Sequence, residues 1–367
     1  ALIVITSIAF FIVSTLSLPN TNTDIFNYIV NGRIAAVHNS NPYFVAADEF
    51  PDDPLYPYAS KNYTGLAADK MPFWMLTNVL LAKLAGNHVT TNLIIYRMAL
   101  MLFNIINLLL IAIIARKLNP HYLASALIIY GWNPIVIVHA QSKSDTLMAL
   151  LLLLAVLFLI KKWRLLAVAA LGLSVMVKLI TLPLAAVYEL RNLRLRKWRA
   201  LIVDILILGV ASLILIILLW QNLEIATRLI ALLGVVGTSA PSVLRIILII
   251  GFGLLILGVS AFQDGRIDKL LWAWSLVLLY FCVFLTKFGF SWYLITLLAI
   301  VSLVFDWRIV LISSVLSFTS FLYNSWYSTF TDLFSPPDLL SFPAYFVYIL
   351  MTALIVTGIL FFCIRHE

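Results

Sequence analysis

Unbroken runs of Leu, Ile, Val, Ala and Phe recur along this chain from end to end, separated by short polar breaks. Many approach the roughly 20 residues that an α-helix needs to cross a bilayer. Continuous runs, rather than ten-residue alternations of apolar and polar positions, predict helices and not barrel strands. The predicted spans cover about residues 1–17, 91–115, 121–139, 144–160, 164–177, 179–190, 200–220, 243–260, 270–286, 291–305, 308–322 and 342–363. The short pair 164–177 and 179–190 reads as a hairpin turning near Lys178. Residues 72–86 are apolar, but they are too short to span and carry Lys83, so they read as an amphipathic helix in the membrane interface. The expected architecture is an all-α polytopic membrane protein of about twelve transmembrane helices, a single transmembrane domain over 1–367 with both ends on one side.

Composition agrees with the pattern. Apolar residues make up 63% of the chain and charged residues 11%, with a mean hydropathy of +1.06. A soluble domain carries about 25% charged residues, so no part of this chain reads as soluble. The net charge of +8 does not point to nucleic acid here, because its placement explains it. With the N-terminus inside, fourteen of the 24 Lys and Arg residues fall in short cytoplasmic connections, among them the cluster RNLRLRKWR at 191–199. Cys282 and Cys363 lie in apolar runs, which argues against a disulfide. The chain opens directly in an apolar stretch, which implies that a short piece precedes Ala1. Residues 1–17 read as a span, since no small-residue cleavage site follows.

The largest polar segment is the predicted first extracytoplasmic loop, 18–90, expected to contain amphipathic interfacial helices. It holds Asp24, Arg33, Asp48, Glu49, Asp52, Asp53 and Asp69 among Tyr, Pro and Asn residues. Long loops of this kind are functional or disordered, and the aromatic content argues against disorder. His139, Lys143, Asp145, Lys178, Arg228, Arg245, Lys287 and Tyr293 are expected on the same face. Acids and bases therefore gather on one side of the membrane, where ionisable groups face cavities or partners. Phosphate-binding glycine loops, dinucleotide fingerprints and zinc-binding spacings are absent from the sequence, so ATP, nicotinamide and zinc are unsupported.

Asp24-Ile-Phe-Asn-Tyr28, then Gly32-Arg33 and Asn41-Pro42-Tyr43, resemble the first outer loop of GT-C glycosyltransferases. The likeness is to the polyprenyl-phosphate-mannose-dependent mannosyltransferases, which include bacterial enzymes and the GPI first-mannose enzyme. Trp132-Asn133-Pro134 with Ser144-Asp145-Thr146-Leu147-Met148 resembles that family's Asn-Pro and His-Asn-Asp-Ala-Leu-Met stretch. Lys178 with Pro183 resembles a Lys-x(4)-Pro at its fifth-to-sixth span hairpin, and Trp292-Tyr293 a late outer Trp-Tyr. Departures are Asp69-Lys70-Met71-Pro72 in place of Tyr-Pro-Pro-Leu, and Lys143-Ser144 in place of His-Asn. Asp24 follows Asn22-Thr23 rather than forming Asp-x-Asp, so a metal ion is not supported.

The resemblance implies inverting transfer of a hexose, mannose in the first instance, from a polyprenyl-phosphate donor to a glycolipid or glycan acceptor outside the cytoplasm. Such a transfer needs a carboxylate as general base for the acceptor hydroxyl and cations for the departing phosphate. The resemblance and its membrane-proximal position make Asp24 the base; a helix cap at Ile25 is the alternative. Asp145 is a donor or acceptor ligand or an N-cap, and Lys178 a phosphate ligand or a snorkelling lysine. Arg33 contacts phosphate or sugar, or forms a salt bridge within the loop. Tyr28, Arg228, Lys287 and Tyr293 complete the expected substrate-binding set, although snorkelling also explains Arg228 and Lys287, and an interfacial position also explains Tyr293. Asn41-Pro42-Tyr43 reads as a structural turn.

The rival reading is a twelve-helix secondary transporter or lipid-linked-sugar flippase. It is disfavoured because the second half shows no counterpart of the long first loop. Protein O-mannosyltransferases and aminoarabinose transferases share the architecture. The expected location is the plasma membrane, with the site extracytoplasmic, or the ER membrane in a eukaryote.

Overall fold

The fold is that of a computed structural model, in which residues 1–17, 24–220, 242–286 and 291–334 are described. Among these residues the secondary structure is helical, without strands. The helices are α1 (Leu2–Leu16), α2 (Asp24–Ala36), the single turn α3 (Lys61–Thr64), α4 (Pro72–Ala85), α5 (Val89–Leu118), α6 (Leu123–Gly131) and α7 (Pro134–His139). They continue as α8 (Asp145–Ile160), α9 (Arg164–Val177), α10 (Leu182–Arg194), α11 (Trp198–Trp220), α12 (Ser242–Ala261), α13 (Ile267–Tyr280), α14 (Leu294–Val301) and α15 (Trp307–Phe334).

Helix α8 is the centre of the bundle. It is apolar all round and packs against α5, α9 and α14, as expected of a helix enclosed by neighbours. Among the described residues two helical stretches are long and apolar enough to cross a bilayer alone, Val89–Leu118 and Ile267–Leu285. Other apolar helices are shorter; the 16 residues of α8 rise about 24 Å at 1.5 Å each.

Two expectations change in detail. The span at 121–139 is two helices, α6 and α7. Pro134 has no N–H to continue the first, and the Asn133 side chain accepts from Ile135 N at 3.0 Å to start the second. The turn near Lys178 is present, but α10 packs mainly on α12 and α13 rather than folding back along α9. The segment 342–363 lies outside the described residues.

The described part of the first loop is folded against the helices that follow it. On α2, Ile25, Tyr28, Ile29, Val30, Gly32, Arg33 and Ile34 are all buried, so the helix is enclosed rather than laid on a surface. It packs along α4, which also touches α5, α9 and α11. Gly32 is where α2 and α4 come closest: a Cβ there would stand 2.5 Å from the Asn78 carbonyl oxygen and 2.7 Å from the Tyr96 hydroxyl. The next residue locks the arrangement. Arg33 Nε donates to both oxygens of Asp53 at 3.0 and 2.9 Å, and its terminal nitrogens reach Gly86 O and Asn87 Oδ1. His38 Nε2 lies 2.8 Å from Asp53 Oδ2. Asn41-Pro42-Tyr43 is indeed a structural turn: Asn41 Oδ1 accepts from Tyr43 N at 3.0 Å, and the Tyr43 hydroxyl donates to Lys70 O at 2.6 Å.

Candidate active site

Asp24 begins α2 just after the first apolar helix, and its carboxylate accepts from Lys143 Nζ at 2.5 Å. Lys143 lies in the turn before α8. Its side chain is fully buried, while that of Asp24 remains 28% exposed. The lysine also sits over the Trp292 ring, 3.4 Å from its centroid. A buried ammonium is tolerated only when a charge or a π face replaces its water. Even so, burial pushes Lys143 down to about 8, against the pull of Asp24 in the opposite direction.

A second pair stands beside the first. Asp145 is the first residue of α8 and fully buried; the cap position itself belongs to Ser144. Lys178 occupies an extended residue between α9 and α10 and donates to the two oxygens of Asp145 at 3.0 and 3.2 Å. Its Nζ is 4.0 Å from the centroid of the Tyr293 ring. Burial acts most strongly and lowers the Lys178 ammonium, but the charge and hydrogen bond of Asp145, together with Tyr293 and Asp24, outweigh it and hold the lysine above its usual value. The pairs sense one another: Lys143 feels Lys178 and Asp145, and Lys178 feels Asp24. Two carboxylates and two lysines thus form one cluster, with the aromatic pair Trp292-Tyr293 beneath the ammonium groups.

Tyr28 closes the floor. It is buried, meets Trp74 edge-on at 5.1 Å and is hydrogen-bonded to Ser144. Burial first, then the negative charges of Asp24 and Asp145, hold its phenol well above 10.0, so it stays protonated. His139, at the end of α7, is buried with its Nε2 3.5 Å from Ser291 Oγ and its ring 6.5 Å from that of Trp292.

The turn that carries Lys143 and Asp145 is held from below by polar groups inside the bundle. Asn107 Nδ2 of α5 donates to Thr146 O at 3.0 Å and to the Tyr130 hydroxyl at 3.1 Å. Tyr130 in turn donates to Asn104 Oδ1 at 2.7 Å, and Thr146 Oγ1 to Ala140 O at 2.5 Å.

The structure therefore brings together Asp24, Tyr28, Asp145, Lys178 and Tyr293 from the expected set. It does not bring Arg33 to them: that guanidinium is committed to Asp53, Gly86 and Asn87, which is the loop salt bridge the sequence left as the alternative. Arg228 and Lys287 lie outside the described residues. Sequence reasoning placed Lys143 on the same face but left it out of the site set, treating it as a departure from the family pattern. A lysine directly before Ser-Asp at the head of an apolar helix was the available signal.

Residues 2–191 match the model of the family described as "Alpha-(1->6)-mannopyranosyltransferase, N-terminal domain", and the chain belongs to that family. The matched stretch contains Asp24, Lys143, Asp145 and Lys178. Among solved structures, the chain is similar to ArnT from Cupriavidus metallidurans bound to undecaprenyl phosphate, with a TM-score of 0.54 and 17% identity over 86% of this chain. The likeness covers 59% of that chain, and at this identity it establishes the shared GT-C fold. No curated protein sequence matches significantly. Membership of a transferase family sets the transporter reading aside.

Proposed function

We propose that this protein is a polytopic membrane enzyme, of about twelve spans, that transfers a mannosyl group from a polyprenyl-phosphate donor to a glycolipid or glycan hydroxyl on the extracytoplasmic face. The observation that carries this reading is the meeting of Asp24–Lys143 and Asp145–Lys178 over two aromatic rings at one end of the bundle. The ArnT structure's undecaprenyl phosphate supports a lipid-phosphate donor, and the family's α-(1→6) description supports a primary hydroxyl at C6 of a hexose as acceptor.

In this reading the acceptor oxygen attacks the anomeric carbon of the donor, and the bond from that carbon to the phosphate oxygen breaks with inversion. The hydroxyl proton passes to Asp24, the more open of the two carboxylates. The leaving polyprenyl phosphate takes the electron pair, and its charge develops against Lys178 and Lys143. Asp145 holds Lys178 in place and Tyr28 donates within the floor. Two lysines beside the phosphate supply the charge that a metal ion would otherwise provide, so activity is expected to survive EDTA. The dense basic turns at the opposite end support placing that end in the cytoplasm, in the plasma membrane or, in a eukaryote, the ER membrane.

The test uses purified protein in nanodiscs with radiolabelled polyprenyl-phosphate mannose and mannose-terminated acceptors. Asp24→Asn is expected to lower turnover by about 10²–10⁴-fold while donor binding persists. Transfer that survives in Asp24→Asn would keep the reaction and discard the base. Absence of both transfer and donor binding in the wild type would discard the reaction itself.

A further inference from the structure

The end of the bundle away from the carboxylate–lysine cluster carries a second concentration of charge that the reaction does not use. Helix α8 runs from Asp145 to Ile160, α9 returns from Arg164 to Val177, and α10 runs out again to Arg194. The α8–α9 turn reads Lys161-Lys162-Trp163-Arg164 and the α10–α11 turn Arg196-Lys197-Trp198-Arg199. The two turns are neighbours, because Arg164 donates to the Ala200 carbonyl and to Asp204 at the start of α11.

Two of the cations at this end hold the protein together: Arg164 through Asp204, and Arg191 through the Gly265 carbonyl. Six others, Lys161, Lys162, Arg194, Arg196, Lys197 and Arg199, are exposed. None of the six forms an ion pair among the described residues. Trp163 and Trp198 are half-exposed among them, at 51% and 57%, and Lys161 lies 4.6 Å from the Trp163 ring centroid. Cations interleaved with exposed indoles match a lipid headgroup layer, where an aromatic ring sits at the depth of the polar groups and cations reach phosphate.

Backbone geometry supplies an independent observation. Among the described residues three that are not glycine have positive φ: Asn39, Lys162 at 62° and Arg196 at 54°. Asn tolerates this region, whereas Lys and Arg enter it at a steric cost. Both cations stand just past a helix end closed in the same way. Lys162 N bonds Leu159 O and Trp163 N bonds Phe158 O, while Arg196 N bonds Leu193 O and Lys197 N bonds Asn192 O. This is the C-terminal closure in which glycine is the favoured residue. Directing membrane insertion needs cations somewhere in the turn, but not at the strained position. Strain kept at the same place in two adjacent turns indicates a use for those side chains in the folded protein.

We propose that these paired turns form a docking surface for anionic phospholipid headgroups in the leaflet at this end of the molecule. The test compares thermal unfolding in nanodiscs of phosphatidylcholine alone and of phosphatidylcholine mixed with phosphatidylglycerol, at low and high salt. The wild type is expected to show a higher Tm with phosphatidylglycerol, and salt is expected to shrink the difference. Lys162→Gly/Arg196→Gly is expected to match or exceed the wild-type Tm in phosphatidylcholine, because glycine relieves the strain, and to lose most of the phosphatidylglycerol shift. Lys161→Gln/Lys197→Gln/Arg199→Gln should also lose it. An undiminished shift in the glycine variant, or none in the wild type, overturns the proposal. So does a lower Tm of the glycine variant in phosphatidylcholine, or reproduction of the wild-type shift by soluble glycerol phosphate.

Discussion

Lys143 is the residue whose environment is most demanding. It is buried, paired with Asp24, stacked on Trp292, and pushed down to about 8 by burial. Two consequences of opposite sign follow. The unfolded chain holds this proton up to its usual 10.5 and the folded protein only to about 8. The unfolded state therefore binds more protons between those values, and the site's contribution to stability rises with pH across that window. Donor binding should do the reverse. Above pH about 8 the lysine loses the charge proposed to face the donor phosphate, so the KM for donor is expected to climb while Tm does not fall. Lys143→Arg, charged throughout, should abolish the climb; a pH series of initial rates beside melting curves checks both.

At the scale of elements, α2 and α4 place the proposed base. Asp24 opens α2, and the same helix is fixed to α4 by close contact at Gly32 and to the loop by Arg33. Gly32→Ala would put a methyl group against the Asn78 backbone, which cannot swing away as a side chain can. The expected cost is about 1–3 kcal/mol, with turnover reduced because Asp24 moves with its helix. Asp53→Asn removes the anion from a guanidinium that is 1% exposed. The expected loss is about 3–5 kcal/mol, read as a lower Tm. Arg33→Lys is expected to lower Tm as well although it keeps the charge, since a single ammonium cannot hold Asp53, Gly86 and Asn87 together. The polar layer of Asn104, Tyr130 and Asn107 plays the corresponding part for the turn that carries Lys143 and Asp145.

At the scale of the whole molecule, the charges divide between two ends of one helical bundle. The carboxylate–lysine cluster and the folded first loop occupy one end; the basic turns after α8 and α10 occupy the other. The proposed orientation puts the first end outside. Cysteines introduced one at a time at Asp52 and Lys162, both exposed, in a background lacking Cys282 and Cys363, are expected to label from opposite sides with a membrane-impermeant thiol reagent. Labelling from the same side would refute the orientation.

The apolar runs by themselves determined that this protein is built from helices suited to a membrane, because a chain with so little charge cannot cover a soluble surface. The order of short motifs was enough to indicate a GT-C mannosyltransferase, and Asp24, Asp145 and Lys178 were legible as a group because each borders an apolar segment on the same side. What sequence order could not convey was pairing. Asp24 and Lys143 are 119 residues apart, and Arg33 meets Asn87 across 54. Only packing decides which cation meets which acid. The tertiary structure took Arg33 out of the cluster and put Lys143 into it, since a buried charge persists where a partner replaces its lost water. It also enclosed α2 within the folded loop, an outcome set by contacts between distant segments; the break of 121–139 at Pro134 is local, set by the proline and the Asn133 cap, and lies hidden within an apolar run.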